Sequence, residues 1–254
     1  MKKGILFILH FTPPIHGSSM VGEQIRDSKL LSESFDGHFI NLNTSKKMNE
    51  IGRIGITKLF RYLGVLWNVF VALLFHKPKI SYIAITAKGL AFYKDAIIVL
   101  LVKLFGVKTI FHMHNKGVST RQDRFIDNIL YKLVFNNSEV IILSKHLYPD
   151  IKKYVNKNRL HICFNGVQDF DPKDYKTQNQ LVEILFLSNL IESKGVYILL
   201  EACKLLKKNK ISFKCKFVGG EGDVSEDQLN SKIKKLHLQN CVDYVGKKYG
   251  RDKE

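Results

Sequence analysis

Three places in the chain set a chemically useful residue beside a glycine, where a strand gives way to a loop or helix. The stretch Leu185-Phe-Leu-Ser-Asn-Leu-Ile-Glu-Ser-Lys-Gly-Val-Tyr-Ile-Leu-Leu-Glu-Ala202 reads as a buried strand (Glu183 to Leu187), a polar loop and a helix. In that helix Val196, Leu199, Leu200, Cys203 and Leu206 recur at helical spacing. Lys194 and Gly195 then stand at the mouth of the helix, at the carboxyl end of a parallel strand, where open α/β sheets bind ligands. Unpaired N–H groups and the positive end of the helix dipole favour an anion there, and an ammonium adds a full charge. A phosphate suits such a place; a solvated lysine on a turn is the alternative reading of this motif alone. Gly17 lies in the loop Thr12-Pro13-Pro14-Ile15-His16-Gly17-Ser18-Ser19, after a strand Gly4 to Phe11. Ser18 or Ser19 is expected to cap the next helix, and Gly17 would let the backbone approach a ligand closely. His114 follows a strand Lys108 to His112 and precedes Gly117. A histidine there can orient or polarise a ligand at neutral pH, or serve as a buried, hydrogen-bonded strand end.

The elements that must position these residues alternate strand and helix. Strands are expected at Gly4–Phe11, His38–Leu42, Lys79–Thr86, Lys108–His112, Glu139–Leu143 and Leu160–Phe164, with helices after Ser19 and over about 57–75, 90–105, 121–135 and 146–154. In the helix 121–135, Phe125, Ile126, Ile129, Leu130 and Leu133 are expected to face the core. Residues 169–182 read as a linker; the pattern restarts with strands at Glu183–Leu187, Phe213–Val218 and Cys241–Val245 and helices near 194–208 and 225–236. This gives an N-terminal Rossmann-like domain over 1–168 and a partial second domain over 183–254, with parallel sheets and right-handed crossovers. Three strands and two helices can hardly cover both faces of a parallel sheet, so the second domain is expected to be incomplete.

Composition narrows the partners. The chain has 254 residues and a formal net charge of +17. Residues 1–165 carry 24 Lys+Arg against 10 Asp+Glu, and residues 166–254 carry 16 against 13. The basic N-terminal part points to nucleic acid, an anionic membrane or a phosphorylated substrate. No recognition motif accompanies the charge, which argues against nucleic acid. Cys163, Cys203, Cys215 and Cys241 form no CxxC pair and read as reduced core residues of a cytosolic protein, and no metal-ligand spacing occurs. Met1 to Phe11 is read as a first strand and not a signal peptide, since Thr12-Pro13-Pro14 replaces a cleavage site. Leu59 to Phe75 is strongly apolar; a helix packed on the sheet is the default, and a helix lying in a membrane interface the alternative.

Taken together, Pro13-Pro14-Ile-His-Gly17, Phe111-His-Met-His114-Asn-Lys-Gly117, Ser144 with Phe164-Asn-Gly-Val167, and Ser188-Asn-Leu-Ile-Glu-Ser-Lys194-Gly195 with Phe217-Val-Gly-Gly-Glu-Gly222 resemble the family 4 glycosyltransferases. The resemblance implies two facing Rossmann-like domains, the GT-B arrangement. It implies transfer of a sugar from a nucleotide diphosphate sugar, with retained anomeric configuration, no metal and no cofactor beyond the donor. It also implies a glycan or polyprenyl-phosphate-linked acceptor, at the inner face of the cytoplasmic membrane. On this likeness His114 lies near the transferred sugar, and Gly17, Lys194 and Gly195 meet the donor phosphates. Ser18, Asn115, Asn165, Gly166, Asn189, Gly219 and Gly220 line the cleft. Many relatives have arginine where this chain has Asn189. The chain also stops before the family's Glu-x7-Glu segment, for which Asp252 and Glu254 are no substitute, so a truncated chain, inactive alone, is expected. The alternatives are a non-catalytic module for a sugar nucleotide or a membrane lipid phosphate, and one half of a two-chain enzyme whose partner completes the second domain.

Overall fold

A computed structural model of the chain describes residues 2–15, 17–45, 55–166 and 181–248. The chain divides into two compact units, 1–168 and 169–254. Most of the expected linker, and Asp252 and Glu254, lie outside the described residues.

In the first unit β1 (Lys3–Leu9), β2 (Phe35–Asn41), β3 (Ile80–Ile85), β4 (Lys108–Met113), β5 (Glu139–Ile142) and β6 (Leu160–Ile162) form one sheet in the order β2-β1-β3-β4-β5-β6. Every described pairing is parallel. Strand β1 is buried on both faces, as the centre of such a sheet must be: Leu6 and Ile8 enter one core, while Ile5, Phe7 and Leu9 enter another. The first core is closed by α3 (Ile56–Phe75), α4 (Gly89–Leu104) and α5 (Phe125–Phe135), with Ile151 from the short α6 (Tyr148–Ile151). Ile25 of α1 (Gly17–Arg26) packs on the second, and α2 (Lys29–Ser34) leads into β2. Gly106, at φ +71°, ends α4 in the left-handed conformation that suits glycine.

In the second unit β7 (Val182–Leu187), β8 (Phe213–Val218) and β9 (Val242–Gly246) are parallel in that order. Both α7 (Val196–Lys208) and α8 (Glu226–Lys235) pack on one face, where Val196, Leu200 and Cys203 meet Phe186, Cys215, Phe217, Leu229 and Ile233. On the other face, among the described residues, Leu185, Leu187 and Val245 are exposed, beside Lys214 and Lys216. An α8 capping box of Ser225 and Gln228 starts the second helix.

Four expectations need correction. Strand β7 is an edge strand and is largely exposed, with Leu185 at 59%; a short apolar run does not distinguish a central strand from the edge of an open sheet. Neither Ser18 nor Ser19 caps α1, because the helix already begins at Gly17. The outward stripe of α5 is Phe125, Ile126, Ile129 and Leu133, while Asp127, Tyr131, Val134 and Phe135 are buried. Asp127 can be inside because Arg121 Nε bonds its carboxylate at 3.0 Å. Of the four free cysteines, Cys163 is exposed, not in the core.

Candidate functional site

The strand order of the first unit reverses direction between β1 and β3, so the loops at their carboxyl ends flank a topological switch point, the usual ligand crevice of an open sheet. The loop after β4 adjoins them. Each of the three loops is held by a carboxylate that accepts backbone N–H groups. After β1, Glu23 of α1 accepts the Thr12 amide at 2.9 Å and its hydroxyl at 2.8 Å. After β3, buried Asp95 of α4 accepts the Thr86 amide at 2.8 Å. After β4, Asp150 of α6 accepts the amides of Gly117, Val118 and Ser119 at 2.8, 3.1 and 3.1 Å, and the Ser119 hydroxyl at 2.7 Å. Burial pushes the Asp150 carboxyl up. The Ser119 hydroxyl and the three amides outweigh it and hold the group below its ordinary range. These amides are thereby committed to protein and not available to a ligand.

Gly17 opens α1, and a Cβ placed on it would meet nothing within 4 Å, so this end of the helix is sterically open. Ser19 is buried and its hydroxyl donates to the Pro14 carbonyl at 3.0 Å, tying the loop to the helix; Ser18 stands beside it in the first turn. The glycine that close packing demands is Gly22, whose Cβ would lie 2.0 Å from the His10 carbonyl oxygen. Its spacing from Gly17 was visible in the sequence, as the helix-packing glycine of a dinucleotide fingerprint would be.

His114 directly follows β4, half-buried, its ring packed at a tilt against His112 with centroids 4.1 Å apart. His112 is buried; its Nδ1 is hydrogen bonded to the Tyr82 hydroxyl at 2.6 Å, and its Nε2 has no partner among the described residues. Burial lowers its pKa to about 4, so His112 is neutral near pH 7 and does not oppose a charge on its neighbour. Asn115 accepts the Ala87 amide at 2.9 Å and joins the β3 and β4 loops. Asn165 and Gly166 lie exposed beyond β6. Asp150 and His112 were missed as site residues: Asp150 sits 33 residues from Gly117 and has no local signal.

In the second unit the β7 and β8 loops lie backbone against backbone. Leu190 N–H donates to the Gly220 carbonyl at 2.7 Å, and Gly220 N–H donates to Asn189 Oδ1 at 3.1 Å. Asparagine can accept that bond; an arginine, with donors only, could not. Gly219 admits no side chain, since its Cβ would fall 1.8 Å from the Ser188 carbonyl oxygen. Lys194 ends a 3-10 turn, Glu192–Lys194, and is exposed. Gly195, at φ +92°, is the N-cap of α7, and no side chain caps the helix. Lys194 and Gly195 therefore stand at an uncapped helix N-terminus beyond the carboxyl end of β7, a geometry that receives anions. Among the described residues no group of three His, Cys, Asp or Glu could hold a metal ion.

Residues 167–254 match the family model described as glycosyl transferases group 1. No curated protein matches the sequence. Among solved structures, the chain is similar to a glycosyltransferase from Rickettsia africae, at 15% identity and TM-score 0.64, over 99% of this chain and 69% of that one. It is similar to Anabaena HepE, solved with UDP and glucose, at 16% identity and TM-score 0.62, over 96% of this chain and 69% of that one. It is also similar to a trehalose-6-phosphate protein of E. coli, solved with UDP-2-fluoro glucose, at 12% identity and TM-score 0.65, over 98% and 75%. Residues 167–254 thus carry a likeness to the glycosyl transferases group 1, and the chain has the GT-B fold of these solved structures.

Proposed function

We propose that the chain transfers a sugar from a nucleotide diphosphate sugar, with UDP as the nucleotide, to a glycan or a lipid-linked acceptor at the inner face of the cytoplasmic membrane. The observation that carries this is Lys194-Gly195 at the open N-terminus of α7, inside the segment that matches the family model. When the glycosidic bond to the donor breaks, negative charge builds on the departing diphosphate. An ammonium and preset backbone N–H groups stabilise that charge without reorganising. They can do so with no metal and no further cofactor. His114 orients or hydrogen bonds the sugar, with neutral His112 supporting its ring, and Gly17 admits a phosphate or acceptor group to the α1 terminus. Retention of anomeric configuration belongs to the same reading.

The test is release of UDP from UDP-sugars by the full chain, in the presence of a chelator, with Lys194→Ala and His114→Ala alongside. Turnover that survives chelation and falls at least tenfold in both variants supports the reading and contradicts the expectation that the chain is inactive alone. Turnover unchanged in Lys194→Ala overturns it. A second reading, a sugar-nucleotide binding module or one half of a two-chain enzyme, is favoured by the exposure of Leu185, Leu187 and Val245 on the second sheet. UDP binding with no release from any donor would decide for that reading.

A further inference from the structure

Helix α3 is 20 residues long and apolar enough, by length and composition, to cross a bilayer. It is not placed to do so, because Tyr62, Val65, Val69, Ala72 and Leu73 are built into the core of the first unit. A helix pinned by one apolar face and apolar on the other has a face left over. That face is continued by its neighbours. Between α3 and α4 runs a groove of about 610 Å³ walled by Leu63, Trp67 and Phe70 on one side and Ile97, Leu101 and Leu104 on the other. Helix α5, which also packs beside α4, turns Phe125, Ile126, Ile129 and Leu133 outward.

The charge around this layer is mostly positive, Asp123 being its exposed acid. Residues 55–135 hold twelve Lys and Arg against three acids, and of these Asp95 and Asp127 are buried. The exposed cations stand at the helix ends: Lys77 and Lys79 beyond α3, Lys88 at the N-cap of α4, Lys108 beyond its C-terminus, Arg124 at the N-cap of α5 and Lys132 in its last turn. We propose that the outer face of α3, α4 and α5 seats the first unit on an anionic lipid surface. The apolar stripes enter the boundary between headgroups and acyl chains, and the cations meet lipid phosphates. A second copy of the chain fits less well, because it would set the same ring of cations against itself. The inference deepens the membrane location proposed above; it is read out by lipid binding alone, so its failure and that of sugar transfer are separable.

Trp67 is the chain's one tryptophan and lies on this face, 64% exposed. The experiment adds vesicles of phosphatidylglycerol and phosphatidylcholine to the full wild-type chain and follows its emission. The expected result is a saturable blue shift that needs phosphatidylglycerol, weakens with added salt, and is quenched by lipids brominated near the glycerol end of the acyl chains. Leu63→Glu and Ile97→Glu, both surface changes, should each lower vesicle affinity roughly tenfold or more while UDP binding stays as in the wild type. Emission unmoved by phosphatidylglycerol vesicles, or vesicle affinity unchanged in both variants, would overturn the proposal. So would a stable dimer by light scattering whose Trp67 is already shielded without lipid, since the face would then belong to a second copy.

Discussion

Replacing Gly22 with alanine tests how the loop that carries Gly17 is held. The new Cβ would sit 2.0 Å from the His10 carbonyl oxygen, 3.2 Å from the His10 carbonyl carbon and 3.5 Å from the Phe11 ring. The first distance is ~1.4 Å short of an ordinary contact, and the two nearest atoms are backbone, so α1 must retreat from β1 or the strand must bend. Overpacking of this kind costs about 1–3 kcal/mol, occasionally more. Alanine returns about 1 kcal/mol of helix propensity. Taking the upper end of the clash, the net loss is about 2 kcal/mol, which for a unit of this size lowers the melting temperature by roughly 4–8 °C. Trp67 lies in α3, so thermal unfolding followed by its fluorescence reports on the first unit alone. Gly17→Ala is the internal control. Its Cβ meets nothing within 4 Å, so its melting temperature should hold or rise slightly. A Gly22→Ala protein as stable as the wild type would show that α1 does not lie on the end of β1 as described.

Asp150→Ala leaves three amides without their acceptor and should cost about 2–4 kcal/mol in urea unfolding. Because its pKa is depressed on folding, the Asp150 contribution is present above the ordinary carboxylate range and lost as pH falls through the lowered pKa, so wild type and Asp150→Ala should converge in strong acid; a constant gap would contradict this. His112, at about 4, destabilises the fold as pH falls from 6.5, by at most about 3 kcal/mol, whereas Asp95, raised to about 6 chiefly by burial, gives stability at low pH that is lost as pH rises through 6. The two slopes oppose between pH 4 and 6, so His112→Phe should turn a nearly flat profile into one that falls with rising pH; a profile parallel to the wild type would refute the assignment. Gly219→Ala should destabilise the second unit by about 3 kcal/mol or more, measured by its proteolysis, since no flexible atom can give way at the Ser188 carbonyl.

The alternation of strands and helices was legible because a parallel sheet leaves two periods in the sequence: continuous apolar runs for strands and a 3.6-residue stripe for helices. Local pattern failed where the partner was decisive. The α5 stripe was assigned inward because Phe125, Ile126, Ile129 and Leu133 outrank a stripe containing Asp127. Only the Arg121 pairing explains how that carboxylate comes to be buried. Exposure of β7 could not be read from its own residues, since it depends on what packs against the second face of its sheet. The carboxylates that hold the three loops are long-range in sequence: Glu23 lies 11 residues from Thr12 and Asp150 lies 33 from Gly117. Lys194 and His114 were singled out only by their place at strand ends, and what surrounds them came with the structure.

The central claim is that the ammonium of Lys194 and the open N-terminus of α7 hold a diphosphate. Calorimetric titration of UDP and of uridine into the wild-type chain and into Lys194→Met measures this directly. A lost charge-assisted bond of about 1.5–3 kcal/mol weakens UDP roughly tenfold to a hundredfold and leaves uridine unchanged. Equal UDP affinity in the two proteins, or an equal loss for uridine, would contradict the account.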